Sequence, residues 1–269
     1  MSGGGAIHKC FNAPAKIPLM NFDLAVIGGL GFSLEGLKDE VETPYGRVPL
    51  IRSRMKGIRV AFLSRHGEGH LPPHKVNYRA LICAARESGA GAVISINTVG
   101  SMAGHAPGSI FIPSDFVEFI SCRPNTFFDD RAVHVDMSQP YCPALRSALA
   151  GAARAAGRQA AEGVYVCAQG PHLESPAQIR TMRQFGDVVG MTGYPEVVLA
   201  REAGLCYASL CVVTNPAAGM AGNRLELTGI SDLMKNSHEA VMEIVQQAAL
   251  LFPAERSCGC RSALDDASI

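Results

Sequence analysis

LCYASLCVVTNPAAG, residues Leu205–Gly219, is the stretch whose reading decides the fold. Its apolar run from Leu205 to Val213 is too short and too β-branched for a helix and reads as a buried strand. The run stops abruptly at Thr214-Asn215-Pro216. Open α/β sheets bind ligands at the carboxyl ends of their strands, and an amide there offers a donor beside an acceptor, matching the O6/N7 edge of an oxopurine. Pro216 disfavours helical backbone at Asn215 and so aims the amide. A plain strand-ending turn is the other reading, because Asn-Pro commonly opens turns.

The same logic extends outward. Phe22–Ile27 runs into Gly28-Gly29-Leu30-Gly31, Val60–Leu63 into Ser64-Arg65-His66-Gly67, and Ala92–Ile96 into Asn97-Thr98-Val99-Gly100-Ser101. Val164–Cys167 leads to Gln169, and Val188-Val189 to Gly190-Met191-Thr192-Gly193. Between these runs, apolar residues recur at helical spacing over His74–Glu87, Ala144–Ala156, Ser175–Gly186, Glu196–Ala203 and roughly Ile230–Phe252. Alternating strands and helices predict an α/β fold. No repeat or linker divides the chain, so residues 21–253 are expected as one domain, with 1–20 a flexible arm and 254–269 a tail. If the strands are mainly parallel, their ends form one rim. Arg65 would bring a guanidinium fork, Thr98 and Thr192 hydroxyls, and turns such as Gly29 backbone N–H groups. That mixture suits phosphate; scattered turn polarity is the alternative.

Composition excludes several classes. The net charge is zero, which offers no field for nucleic acid or anionic membranes. Tryptophan is absent and aromatics are 6%, too few for single-strand stacking platforms. No run has the length of a membrane span, and no leader with a cleavage site is evident. The chain has nine cysteines. Cys83, Cys167, Cys206 and Cys211 lie in apolar segments and read as free buried thiols of a reducing cytoplasm. Cys258-Gly259-Cys260 would close a tight disulfide, bind metal or lie in an unstructured tail, and the tail is the expectation. The glycine turn fails the dinucleotide fingerprint at Leu34, and neither a Walker loop nor a nucleophile elbow is present. His66, His70 and His74 sit four apart, but Gly67, Gly69, Pro72 and Pro73 break any helix that would align them, so no metal site is expected there.

Four segments carry a resemblance: SRHGEGHLPPHKVNYRA (Ser64–Ala80), INTVGSM (Ile96–Met102), QGPHLESPAQIR (Gln169–Arg180) and VVGMTGYPEVVLAREAGLCYASLCVVTNPAAG (Val188–Gly219). Together they resemble the trimeric purine nucleoside phosphorylase and methylthioadenosine phosphorylase family, from about Phe22 to Phe252. VTNPAAG is most similar to the methylthioinosine phosphorylases within it. The resemblance implies one domain with a twisted central mixed sheet flanked by helices. It also implies a homotrimer and no cofactor beyond phosphate as co-substrate. The implied reaction is phosphorolysis of a 6-oxopurine nucleoside, S-methyl-5'-thioinosine foremost, to hypoxanthine and 5-methylthioribose 1-phosphate. Methylthioadenosine, inosine and guanosine are competing substrates, and a nucleoside-binding relative with weak turnover is the non-enzymatic alternative.

By motif position, the resemblance assigns phosphate to Gly29, Arg65, His66, Thr98 and Thr192, and the base to Leu173, Glu174, Thr214 and Asn215. Asn215 and His66 are the expected catalytic residues. Met191 would pack on the ribose. Leu225, Leu227 and Ile230 would line the 5' region, whose apolar character suits a methylthio group. His134 would reach the neighbouring subunit's 5' pocket, or serve as an interface histidine. Asn215 and Ala217 stand where adenine-specific relatives carry aspartates, so O6 and N1–H of an oxopurine are the expected partners of Asn215 and Glu174. Two positions depart from the family pattern: Leu30 replaces a phosphate-binding hydroxyl, and His172 replaces an arginine.

Overall fold

The computed structural model describes residues 21–29, 31–67, 69–220, 227–253, 255–265 and 267. Among the described residues, nine strands form one mixed sheet. They are β1 (Leu24–Gly28), β2 (Leu37–Thr43), β3 (Gly46–Met55), β4 (Ile58–Ser64), β5 (Ala92–Ser101), β6 (Ile110–Phe119), β7 (Ala160–Ala168), β8 (Val188–Gly190) and β9 (Cys206–Pro216). The helices are α1 (Tyr78–Glu87), α2 (Pro143–Ala155), α3 (Pro176–Met182), α4 (Gly193–Glu202) and α5 (Leu227–Leu251). The sheet order is β2-β3-β4-β1-β5-β8-β7-β6-β9, and β9 also pairs with β5. Five strands therefore close into a small barrel, with β1 to β4 extending from it.

Burial follows from this pairing. β1 lies between parallel β4 and β5 and is buried throughout, as expected of a parallel strand covered on both faces. β2 is the edge strand; its charged residues Lys38, Asp39, Glu40 and Glu42 discourage further pairing. Those charges also hid it from the apolar-run reading. Local signals set the helix ends. Pro72-Pro73 permit only a 3-10 turn at Pro73–Lys75, so α1 starts at Tyr78, where the Asn77 side chain accepts from the Ala80 N–H. Ser175 and Gln178 form a reciprocal capping box on α3, which ends at Met182 rather than Gly186.

The sheet is less parallel than expected. β2–β3, β3–β4, β5–β8 and β6–β9 are antiparallel. The carboxyl ends of β1, β4, β5 and β9 still share one side, while β8 approaches from the opposite direction, with Val189 opposite Gly100. The rim is thus a meeting of opposed strand ends. In the β5–β9 pair, Val99 faces Val213 but Gly100 faces Asn215. Thr214 is the extra, bulged residue, and such bulges re-aim the side chains beside them.

The C-terminal expectation needs correction. Cys260 and Ala267 are buried, and the Ala267 carbonyl accepts from the His134 N–H at 2.7 Å. Buried apolar contacts hold these described residues against the domain. Cys83, expected as a free thiol, is disulfide-bonded. Residues 1–20 lie outside the described residues. Among the described residues, no helix is long and apolar enough to cross a membrane.

Candidate active site

A cavity of about 540 Å³ opens where β1, β4, β5, β8 and β9 end. That is within the usual size range of small-molecule sites. It gathers Gly29, Arg65, His66, Thr98, Leu173, Glu174, Met191, Thr192, Thr214 and Asn215, together with Ile230 and His172. His134 does not line it; the residue is exposed elsewhere on the surface. Leu30, Leu225 and the Leu227 side chain lie outside the described residues.

One wall is a buried polar network. Arg65 does not present the open fork that the sequence suggested. Its Nε donates to Glu196 Oε1 at 2.5 Å and Nη2 to Oε2 at 3.2 Å, while Nη1 donates to the Ile96 carbonyl at 2.9 Å. Nη2 also donates to Ser95 Oγ at 2.6 Å. An arginine has five N–H donors, so these bonds leave one Nη1–H over. Burial works against the Arg65 charge, but the Glu196 carboxylate more than offsets it and raises the guanidinium above its ordinary value. Gly29 makes room for this arrangement: a Cβ there would come 2.8 Å from Arg65 Nη1 and 3.0 Å from the Ile96 carbonyl.

The network continues to Thr192. Asn97 Oδ1 accepts from Ser209 Oγ at 2.5 Å, which turns its Nδ2 toward Thr192 Oγ1 at 3.0 Å. Thr192 accepts from Asn97, so its own hydroxyl proton is left to donate to a ligand. Beside it, His66 Nδ1–H donates to the Leu71 carbonyl at 2.7 Å, since a carbonyl can only accept. The neutral ring then carries its lone pair on Nε2. Burial lowers the His66 pKa, and the Arg65 charge acts in the same direction, against the Leu71 carbonyl and the Glu196 carboxylate.

The other wall holds the groups suited to a heterocycle. Thr214 Oγ1 is within hydrogen-bond distance of the Val99 carbonyl (3.2 Å) and of Asn215 Oδ1 (2.7 Å). Asn215 Nδ2 donates to the Pro216 carbonyl at 2.8 Å. The amide is thereby oriented, with one N–H and one oxygen lone pair to spare. The Glu174 carboxyl is buried, and that burial raises its pKa despite the opposing influence of its backbone and of His172. A desolvated carboxylate favours a donor-bearing ligand edge.

The chain's relatives bear on this geometry. The sequence profile of the Phosphorylase superfamily matches residues 23–250. The chain belongs to this superfamily. It is 46% identical to a probable S-methyl-5'-thioinosine phosphorylase of Methanosarcina acetivorans, over 92% of this chain and 97% of that one. It is 43% identical to a 6-oxopurine nucleoside phosphorylase of Pyrococcus furiosus, over 91% and 98% respectively. A solved methylthioadenosine phosphorylase from an Antarctic soil metagenomic library has a TM-score of 0.83 and 34% identity, over 92% of both chains. These likenesses establish the nucleoside phosphorylase fold.

For this member of the Phosphorylase superfamily, sequence reading missed Glu196, the partner that orients Arg65. It is fully buried and also accepts from Ser95 Oγ at 2.7 Å and Tyr207 Oη at 3.0 Å. As the first residue of an expected short helix, it had looked like an ordinary helix start. The available signal was its place between Tyr194-Pro195 and Val197-Val198-Leu199, apolar on both sides. Ser95 and Ser209 were likewise missed as polar residues inside buried strands, and Asn97, expected just after a strand, lies within β5.

Proposed function

We propose that the protein catalyses phosphorolysis of a 6-oxopurine nucleoside, with S-methyl-5'-thioinosine preferred. The products are hypoxanthine and 5-methylthioribose 1-phosphate. One observation carries the base assignment: a neutral amide, Asn215, shares its cavity with the buried carboxylate Glu174. Glu174 accepts from N1–H of the oxopurine, a proton that adenine lacks. Asn215 donates to O6 and accepts from N7–H once N7 of the departing purine takes a proton from water.

Phosphate takes the Thr192 hydroxyl, the remaining Arg65 Nη1–H, Thr98 and the Gly29 turn. Neutral His66 takes a proton on Nε2 from monobasic phosphate, leaving the dianion to attack C1'. As the new C–O bond forms, the C1'–N9 bond breaks and its electron pair moves into the purine. Stabilising that developing charge is the source of the rate, and no cofactor besides phosphate takes part. Met191 packs on the pentose and apolar Ile230 faces the 5' substituent. We also propose a homotrimer, in which exposed His134 completes a neighbour's 5' pocket.

The test is purine release from methylthioinosine, inosine and methylthioadenosine, each with and without phosphate. Phosphate-dependent hypoxanthine release, fastest from methylthioinosine, is expected. Preference for methylthioadenosine would overturn the assignment of Asn215, and phosphate-independent release would make the protein a hydrolase. Binding without turnover would turn attention to Leu30 and His172.

A further inference from the structure

Away from the cavity, four cysteines from three separate parts of the chain converge. Cys142 is the N-cap of α2, Cys206 opens β9, and Cys258 and Cys260 flank Gly259 in the turn that follows α5. Cys142, Cys206 and Cys260 are buried and Cys258 is half-buried. Their four sulfurs lie within 4.8 Å of one another, with Cys206 Sγ and Cys258 Sγ 3.4 Å apart.

We propose that these four cysteines form a structural metal site that takes zinc. A tetrahedral tetrathiolate ion with Zn–S bonds of about 2.3 Å holds its sulfurs about 3.8 Å apart. The observed cluster brackets that spacing. A single disulfide would use two of the sulfurs and leave two crowded thiols beside it. The donors are all soft, with no carboxylate in the set, which selects thiophilic ions over magnesium or calcium. Binding replaces four S–H bonds with four Zn–S bonds and releases four protons.

Charge compensation is built in as well. A zinc ion with four thiolates carries two negative charges. Arg256 Nη1 lies 3.6 Å from Cys206 Sγ and donates to the Gly91 carbonyl at 2.6 Å. Gly91 admits this side chain, because a Cβ there would come 2.3 Å from Arg256 Nη2. An outer partner of this kind orients and neutralises a thiolate site. Cys142 and Cys206 sit on rigid elements, so the metal would fasten the C-terminal turn to the sheet and to α2. This role does not depend on the reaction catalysed in the cavity.

The full chain, expressed with added zinc and purified without chelator, is analysed for metals by mass spectrometry. About one zinc per chain is expected. The double substitution Cys258→Ser/Cys260→Ser should lower it below about a tenth per chain, and Cys142→Ser should lower it independently. Cys122→Ser, at an exposed free thiol, should retain the metal. Should the cluster variants fail to fold, the wild-type chain decides alone. Cobalt exchanged into it should give the intense visible bands of a tetrahedral thiolate site, and chelation should lower its thermal midpoint. Wild-type protein without stoichiometric metal that gives no such cobalt spectrum would overturn the proposal. Non-reducing peptide mapping that finds Cys142, Cys206, Cys258 or Cys260 in a disulfide would overturn it too.

Discussion

Replacing Glu196 with glutamine tests whether the Arg65–Glu196 pair organises the phosphate side of the cavity. The substitution preserves volume but removes the carboxylate bonded to Arg65 in a site where both side chains are almost fully buried. Oε1 accepts from Arg65 Nε; Oε2 accepts from Arg65 Nη2, Ser95 Oγ and Tyr207 Oη. Whichever way the new amide turns, its N–H₂ faces donors. Arg65 keeps its charge, now unbalanced. Breaking a buried pair in this way costs about 3–5 kcal/mol. At about 2–4 °C per kcal/mol for a chain of this size, the melting midpoint should fall by about 6–20 °C. The stranded guanidinium should then rely on anions, so phosphate should restore more of the lost midpoint in the variant than it adds to the wild type. Thermal unfolding with and without phosphate measures both effects, with the phosphate KM as a third readout. Glu239→Gln, on an exposed part of α5, controls for loss of a charge. A variant melting within about 2 °C of wild type with an unchanged phosphate KM would refute the reasoning.

Three further predictions address single contacts. Asn215→Asp sets a carboxyl oxygen against the Pro216 carbonyl, where Nδ2 now donates at 2.8 Å. An unmade buried bond costs about 1–3 kcal/mol, so kcat/KM on 6-oxopurine nucleosides should fall roughly tenfold to hundredfold while preference moves toward 6-aminopurines; an unchanged preference would remove Asn215 from base recognition. Thr192→Val deprives Asn97 Nδ2 of its acceptor and should raise the phosphate KM about tenfold at an unchanged nucleoside KM, with Thr192→Ser restoring it. Glu174→Gln bears on pH. Burial raises this carboxyl above its ordinary 4.5, so its contribution to folding is full below that pH and is lost as pH rises through the folded-state value. The variant should therefore melt higher than wild type at neutral pH and lose that advantage below pH 4.5. An advantage independent of pH would show that the carboxyl's charge is not what destabilises the folded chain.

Much of the fold and site was legible in the residues alone. The runs ending at Gly28, Ser64 and Asn215 are strands because short apolar segments bounded by glycine or proline suit few other conformations. Ser175-Pro176 opens a helix because a hydroxyl cap and a proline at the first turn are local chemistry, complete within four residues. Residues at those strand ends could be nominated for phosphate and base for the same reason: their place along the chain fixed their place on the rim. Tertiary structure alone decided what pairs with what. Glu196 looks like any helix carboxylate until Arg65, from a distant strand, is packed against it in a dry interior. The antiparallel entry of β8, closure of the barrel and the bulge at Thr214 depend on registers between strands far apart in sequence. Cys142 and Cys206 lie far in sequence from the Cys258-Gly259-Cys260 pair, and only packing of the C-terminal turn on α2 and β9 brings the four sulfurs together. Sequence patterns record short-range geometry and burial, whereas these contacts are set by the one global packing of segments far apart in the chain.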